Sequence, residues 1–191
     1  MLILLRHGES VLNRGAKLLG SSDPHLTDLG RQQAAKASEK LKSIRNVISS
    51  PLTRALETAE IVSPNQQIKV DTRWREINYG QYEGLNLEDL SEEVRAKWKS
   101  DPGFCPPGGE SLISVSQRVS CALEDLRNQA CESDVLVVSH VSPIKAAVAL
   151  ALGVDMSIAW KMRLSLCSLT TITVDEDNMV LTGFNEVPYS R

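Results

Sequence analysis

Two of the three histidines in this chain follow apolar segments that have the character of buried strands. His7 comes next to Arg6, just after the run Met1–Leu5, and His140 comes two residues after the run Val135–Val138. Imidazole titrates near neutral pH and can act as a nucleophile, a proton carrier or a hydrogen-bond donor. Two histidines at two strand ends, one beside an arginine, therefore indicate a reactive site rather than two ordinary loop residues.

A third candidate group is a helix start that carries a positive charge. Ser50 and Pro51 fit the N-cap and first position of a helix, which places Arg54 in its first turn. A cation there opposes the helix dipole by about a few tenths of a kcal/mol, whereas an anion is attracted. The pattern indicates a bound anion, with an ion pair to Glu57 as the alternative. Arg6 and Arg54 together would make a bidentate clamp suited to phosphate.

A fourth candidate is the carboxyl of Glu76, in a glycine-punctuated segment after the short apolar run Ile68–Val70. A carboxyl in such a place can serve as a general acid. Taken alone this signal is weak, and it favours a solvated surface glutamate over a general acid. The sequence shows no cluster with metal-ligand spacing, and its four cysteines form no CxxC pair. We therefore expect no metal and no cofactor, with the thiols reduced in a cytoplasmic protein.

These residues need a scaffold that brings distant strand ends together, and the hydrophobic pattern predicts one. Apolar runs of strand length alternate with segments of helical periodicity. This alternation predicts an α/β fold of three layers, with a mostly parallel sheet and helices on both faces. Ligands bind beyond the carboxyl ends of the strands in such folds. The predicted strands are 1–5, 47–49, 68–70 and 135–138, followed by an edge hairpin of 169–174 and 179–184 around a turn at 175–178. The predicted helices are 27–41, 50–62, 90–99, 111–130 and 143–152.

The segment 74–109 interrupts this pattern with many glycines and prolines. We interpret it as a small helical or irregular insertion within a single domain spanning residues 1–191. The short helix at 90–99 belongs to this insertion. We expect the surface that selects the substrate to lie here.

Composition and charge exclude several classes of protein. The 191 residues carry a formal net charge of −3 and only 4% aromatic residues. Nucleic-acid-binding domains are usually basic, and platforms that stack bases need aromatic rings, so we expect no nucleic-acid partner. No segment approaches the roughly 20 apolar residues of a membrane span, and the start of the chain lacks the pattern of a secretory signal.

Six blocks, in order along nearly the whole chain, resemble the signature motifs of the histidine phosphatase superfamily, also called the phosphoglycerate mutase-like superfamily. Any one of the blocks would be weak evidence, but six in the family's order are specific. The blocks are Arg6–Ser10 with Asn13; Leu26–Ala34; Ser50–Ala59; Glu76 with Gly80, Glu83 and Gly84; Pro107–Ser111; and Val137–His140.

The resemblance implies a role for each candidate residue. His7 would attack phosphorus and become a phosphohistidine. Arg6, Arg54 and His140 would bind the equatorial oxygens and stabilise the charge of the transition state. Glu76 would protonate the leaving oxygen and then accept a proton from the attacking water. No metal is required, because the two arginines and the second histidine supply the positive charge.

Four further residues are expected around the substrate. The resemblance implies that Asn13 lines the phosphate pocket, and that Ser10 either contacts substrate or caps a turn. Val141 and the residue after it stand where the family often has two glycines. The N–H of Val141 can still face phosphate, while the Val141 side chain narrows the pocket. Lys17 keeps a positive charge where family phosphatases often have arginine, and Leu19 makes the pocket wall more apolar.

The resemblance implies a phosphomonoesterase for a small phosphorylated metabolite, acting in the cytoplasm as a monomer or homodimer. A phosphoglycerate mutase is the alternative within the family. Mutases carry an insertion with an arginine pair for the substrate carboxylate, and here the short segment 87–103 offers only Arg95, Lys97 and Lys99.

A non-catalytic binder of phosphorylated ligands is a third possibility, which the presence of all five expected reactive residues disfavours. Two residues of the motifs have other expected roles. We assign His25 to a turn without a part in the chemistry, and we expect Glu57 to orient Arg54.

Overall fold

The computed structural model describes residues 1–15, 17–175 and 178–188. These residues form a six-stranded sheet with the order β3-β2-β4-β1-β5-β6. The strands are β1 (Leu2–Arg6), β2 (Asn46–Ser49), β3 (Ile68–Val70), β4 (Val135–Ser139), β5 (Leu169–Val174) and β6 (Met179–Glu186). The α-helices are α1 (Asp28–Leu41), α2 (Thr53–Val62), α3 (Glu92–Ser100), α4 (Leu112–Glu132) and α5 (Val141–Leu152).

The sheet is mostly parallel, as predicted. Strands β1, β4, β2 and β3 pair in parallel, and only the edge pairs β1–β5 and β5–β6 are antiparallel. Arg6 pairs with Ser139 and Ser49 pairs with Val138, so the carboxyl ends of β1, β4 and β2 lie side by side. The C-terminal hairpin is confirmed at the edge, although residues 176–177 of its predicted turn fall outside the described residues.

Helices cover both faces of the sheet and give the three predicted layers. On one face, α1 and α2 pack on apolar residues such as Leu5 and Leu136. On the other face, α4 and α5 pack on Leu4 and Val137. All five residues of β4 are buried, as its continuous apolar sequence predicts for a strand covered on both sides. Each fully buried Leu or Val contributes about 1.5–3 kcal/mol relative to an exposed one.

Two helices begin close to their predicted first residues, 27 and 111, and a side chain caps each of them. Thr27 accepts a hydrogen bond from Gly30 N at the start of α1, and Ser111 accepts one from Ser114 N at the start of α4. Both side chains satisfy an N–H group that lacks a partner within the helix.

Two other helix starts differ from the prediction. Ser50 does not cap α2, which begins at Thr53 after Leu52; its hydroxyl is hydrogen-bonded to His140 Nε2 at 2.7 Å and accepts from Leu52 N at 3.3 Å, in the turn before the helix. Helix α5 begins at Val141 rather than at Pro143. Proline is compatible with the first turn, where the missing N–H would have had no partner in any case.

The insertion contains α3 together with short 3₁₀ turns at Gly80–Tyr82 and Leu87–Asp89. Its centre is aromatic: the Trp98 side chain is buried and its ring lies within 6.0 Å of four other rings, those of Tyr79, Tyr82, Phe104 and Trp160. Gly80 has a positive φ of 54°, and a Cβ there would lie 2.2 Å from Pro107 O. Only glycine lets these two turns approach so closely.

The loop after β1 packs directly on the first turn of α1. A Cβ on Gly30 would lie 2.1 Å from Glu9 O, and a Cβ on Gly8 would lie 2.5 Å from Gly30 O. Thr27 N also donates to Glu9 O at 2.9 Å. This contact between backbones fixes the path of the chain immediately after His7.

We predict that Gly30→Ala destabilises the fold by about 1–3 kcal/mol, because the methyl group must displace backbone rather than a flexible side chain. That cost exceeds the roughly 1 kcal/mol that alanine gains over glycine in a helix. Urea unfolding of the variant measures this loss of stability. Gly15→Ala is the matched control, since its Cβ would meet nothing closer than the Lys17 side chain at 3.5 Å. Equal unfolding midpoints for the two variants would contradict the prediction.

Candidate active site

The adjacent ends of β1 and β4 bring the two predicted histidines into contact. Their ring centroids lie 5.0 Å apart, and both side chains are buried. His7 N donates to Ser139 O at 3.0 Å, which continues the parallel pairing of the two strands past Arg6. His140 lies at the N-cap position of α5. The strand register therefore brings together two histidines that are 133 positions apart in the sequence.

The His7 ring is held with one nitrogen available for chemistry. Its Nδ1 lies 2.7 Å from Gly8 O. A carbonyl can only accept, so Nδ1 carries the proton of the neutral ring and Nε2 keeps its lone pair. Burial, followed by the positive charges of Arg54 and Arg6, holds the pKa of His7 well below its usual range. At neutral pH the ring is uncharged and nucleophilic at Nε2.

His140 is bonded through the other ring nitrogen: in the described part of the chain, Nε2 has a partner and Nδ1 has none. Its Nε2 lies 2.7 Å from Ser50 Oγ, at the end of β2. Its Nδ1 is buried and has no hydrogen bond within the described residues. Burial is also the largest cause of its lowered pKa, and the charge of Arg54 adds to it.

Arg54 is fully buried beside these rings, not on a separate polar face of α2. Its Nη1 donates to Ser22 O at 2.6 Å and its Nη2 to Gly20 O at 3.0 Å, while Nε has no partner within the described residues. Carbonyl groups thus orient the guanidinium without neutralising its charge. The expected role of Glu57 is wrong, because its carboxylate bonds instead to His25, Leu26 N and Arg31.

Two residues outside the predicted set position this arginine. Glu83 accepts hydrogen bonds from Gly20 N and Ser22 N at 3.0 Å, so it fixes the same loop whose carbonyls hold Arg54. Thr58 donates to Arg54 O and accepts from the N–H of the residue after His7. The signal for Thr58 was present in the sequence, since a residue four positions after Arg54 lies on the same helix face.

Arg6 completes a group of unpaired donors around the two rings. Its Nη1 donates to Leu164 O at 2.6 Å, while its Nε is buried without a partner in the described part of the chain. Arg6 Nε, Arg54 Nε and His140 Nδ1 thus all lack partners. Buried polar groups are normally hydrogen-bonded, and an anion with several oxygens would satisfy these three together. Phosphate has the charge and geometry that such a cluster requires.

The Glu76 carboxylate lies against the N-terminus of α5. Its Oε1 accepts from Ile77 N at 2.9 Å and Ser142 N at 3.0 Å, and its Oε2 accepts from Val141 N at 3.0 Å. The side chain is only 6% exposed. The expectation that the Val141 N–H faces phosphate is therefore not met, because Glu76 takes that donor. The negative charge of Glu76 acts on Arg6 and Arg54, where it opposes the lowering of their pKa values by burial.

A mostly apolar cavity of about 110 Å³ lies beside Glu76. Ile77, Val141 and Ser142, which hold the carboxylate, form part of its wall. The indole rings of Trp98 and Trp160 form another part. Leu18 lines this cavity where the apolar wall was expected from Leu19. The cavity is therefore bounded by the residues whose N–H groups hold the Glu76 carboxylate.

The remaining expected residues lie in the loop after β1. The Oδ1 atom of Asn13 accepts from both Ser10 N and Ser10 Oγ, so Ser10 and Asn13 stabilise a turn together. Lys17 is exposed and its backbone pairs with Asn86. Among the described residues, no group of three or more His, Cys, Asp or Glu side chains is arranged to hold a metal ion.

Comparison with known proteins agrees with this geometry. The sequence model of the histidine phosphatase superfamily (branch 1) matches residues 2–187. Phosphoserine phosphatase 1 of Hydrogenobacter thermophilus is 34% identical over 96% of this chain and 91% of its own length. A probable phosphoglycerate mutase of Photorhabdus laumondii is 33% identical over 95% of this chain and 88% of its own. The crystal structure of phosphoserine phosphatase from Entamoeba histolytica in complex with 3-phosphoglyceric acid superposes with a TM-score of 0.90 at 32% identity, covering 97% and 96% of the two chains.

We predict that Arg54→Met raises the pKa of both His7 and His140, because a positive charge that disfavours their protonation is removed. Proton NMR of the imidazole Cε1–H signals across a pH titration measures both values. Arg54→Lys is the matched control, because it keeps the charge, and it should raise them less. Identical titrations in the wild type and Arg54→Met would show that burial alone lowers the two pKa values.

Proposed function

Because this chain belongs to the histidine phosphatase superfamily (branch 1), we propose that it hydrolyses a small phosphomonoester through a phosphohistidine at His7. One observation carries the proposal: the buried, uncharged His7 imidazole, with Nε2 unprotonated, lies beside Arg6 Nε, Arg54 Nε and His140 Nδ1, none of which has a partner among the described residues. That combination offers a nucleophile and a binding site for the oxygens of one phosphoryl group.

In the first half-reaction, His7 Nε2 attacks phosphorus and the bond from phosphorus to the ester oxygen breaks. Glu76, in its protonated form, gives its proton to the departing oxygen. Arg6, Arg54 and His140 bind the equatorial oxygens, where negative charge is concentrated in the transition state. The donors are already oriented by Leu164 O, the carbonyls of the 20–22 loop and Ser50, so little reorganisation accompanies the reaction.

In the second half-reaction, the Glu76 carboxylate takes a proton from water, and the oxygen of that water attacks phosphorus. The bond between phosphorus and Nε2 breaks, phosphate leaves and the neutral His7 ring is restored. Three backbone N–H groups fix the Glu76 carboxyl group, so it stays in place through both steps. Because Oε2 accepts only one of these bonds, it keeps lone-pair capacity for contact with the substrate or water.

Hydrolysis is favoured over phosphoglycerate isomerisation, although a probable mutase is among the relatives. The cations that a mutase-like insertion would use, Arg95, Lys97 and Lys99, do not line the cavity beside Glu76. Phosphatases of small metabolites, including phosphoserine phosphatase 1, are as similar to this chain as the mutase. The proposed substrate is accordingly a small phosphorylated metabolite, and neither a metal nor a cofactor takes part.

The cellular setting remains part of the proposal. The thiols of Cys105, Cys121 and Cys131 are free and exposed, which suits the reducing cytoplasm. Within the described residues, no helix combines the length and apolar character needed to span a bilayer. Each group of the proposed mechanism comes from the same chain, so a monomer or a homodimer would both be competent.

We predict that His7→Ala lowers kcat for p-nitrophenyl phosphate by at least about a thousandfold, because the covalent route is removed. Phosphate release and nitrophenolate absorbance both measure it. His25→Ala is the matched control: His25 is 75% exposed and lies outside the ring cluster, so turnover should stay close to wild type. Unchanged turnover in His7→Ala would exclude His7 as the nucleophile. Rapid isomerisation of 3-phosphoglycerate without phosphate release, with or without 2,3-bisphosphoglycerate, would favour a mutase.

We predict that the loss of activity in Glu76→Gln depends strongly on the leaving group of the ester. An amide cannot protonate the departing oxygen, so kcat for an alkyl phosphate should fall by about 100-fold or more. Nitrophenolate leaves without a proton, so its formation in a single turnover should fall much less. Equal losses for the two esters in stopped-flow measurements would argue against proton donation by Glu76.

A further inference from the structure

We infer that Lys145 binds a carboxylate on the alcohol portion of the substrate, which makes the preferred substrate a small phosphorylated hydroxy acid. The inference rests on the proposed function, because it concerns the leaving-group side of the same site. It is carried by the position of Lys145 in the cavity wall, by its partners and by the size of the cavity.

The cavity lies where a leaving group would be placed. Glu76 is the proposed proton donor to the ester oxygen, and its neighbours Ile77, Val141 and Ser142 form part of the cavity wall. Tyr79 is another wall residue, and burial, followed by the negative charge of Glu76, raises the pKa of its hydroxyl. An alcohol held in this cavity would therefore present its oxygen to Glu76 while its phosphoryl group faces the two histidines.

Lys145 is the cation in this wall. It lies one helical turn after Val141 on α5, so the two side chains share a face of the helix. Its Nζ donates to Ala159 O at 2.7 Å and forms no ion pair with any of the described residues. An ammonium has three donors, so two remain for a ligand. A neutral carbonyl holds this side chain in place without cancelling its charge.

The phosphoryl group does not account for this charge. Arg6, Arg54 and His140 already offer unpaired donors to the phosphate oxygens. Lys145 is a further cation, reached from the cavity beside Glu76. A second anionic group, separated from the phosphate by the carbon skeleton of the alcohol, would complement it. Charge-assisted bonds of this kind are strong where water is excluded.

The size and lining of the cavity define the rest of the ligand. At about 110 Å³ it is smaller than the pockets of about 300 Å³ and more that hold drug-sized molecules. Leu18, Leu87, Trp98 and Trp160 provide apolar walls around the one cation. A short carbon chain that ends in a carboxylate fits both properties. A nucleoside or a protein side chain presented on a folded surface does not.

The test compares two esters that differ only in the group facing Lys145. 3-Phosphoglycerate and glycerol 3-phosphate share a three-carbon skeleton, with a carboxylate in the first where the second has a hydroxymethyl group. We expect wild-type kcat/KM to favour 3-phosphoglycerate by about tenfold or more. Lys145→Met and Lys145→Gln should bring this ratio close to one, and Lys145→Arg should retain most of it. Lys36→Met, which removes an exposed charge on α1, is the matched control and should leave the ratio unchanged.

A pH series gives a second readout for the same lysine. Burial, as the largest cause, lowers the pKa of Lys145; the negative charge of Glu76 opposes that effect, and the positive charge of Arg6 adds to it. Since the ammonium is lost as the pH rises through the lowered pKa, the preference for the carboxylate ester should disappear at a lower pH than an ordinary lysine would allow. The Lys145→Arg variant should keep its preference over the same range.

The outcomes separate this inference from the proposed function. The inference is overturned if wild type hydrolyses p-nitrophenyl phosphate but shows no preference for 3-phosphoglycerate. It is also overturned if Lys145→Met lowers kcat/KM equally for both esters, since Lys145 then has only a structural or electrostatic part. If wild type releases no phosphate from any ester, the proposed function fails. Calorimetric binding of the same two esters to His7→Ala then tests the inference without turnover, and equal affinities would overturn it.

Discussion

The buried charge of Arg54, which forms no ion pair among the described residues, is the constraint on which the rest of this site depends. Removing a guanidinium from water costs on the order of several kcal/mol, and two carbonyl groups offset only part of that cost for Arg54. Burial is the largest cause of the lowered pKa of both imidazoles, and the charge of Arg54 adds to it because it disfavours a further positive charge nearby. An anion bound here would be stabilised by the same charge, which favours a phosphoryl group as the ligand.

The rest of the molecule holds that charge in place. Glu83 fixes the 20–22 loop, the loop carbonyls orient the guanidinium, and the packing of Gly8 on Gly30 fixes the chain after β1. These contacts come from residues far apart in sequence but close to the carboxyl ends of three parallel strands. A parallel sheet suits this task because its strand ends all meet at one edge.

Much of this could be predicted from sequence, because the relevant signals are local. The signals for strands, helices and the helix starts at Thr27 and Ser111 depend on neighbouring residues. They predicted the layers and the hairpin correctly. The errors arose where a side chain serves a distant partner. Ser50 bonds to His140 instead of capping α2, and Glu57 bonds to His25 instead of orienting Arg54. The cavity and Lys145 were missed for the same reason, since both depend on how α5 packs against residues 156–161.

The way in which Glu76 is held explains how the chain departs from its family's pattern without disturbing the carboxyl group. Within the described part of the chain, every hydrogen bond to this carboxylate comes from the main chain, at Ile77, Val141 and Ser142. Any residue other than proline supplies the same N–H. The residues at the start of α5 can therefore be substituted while the proton donor keeps its position. Substitutions there change the shape of the cavity wall but leave the position of the Glu76 carboxylate unchanged. Related proteins can therefore differ in the alcohol portion of the substrate that they accept and still use the same proton donor.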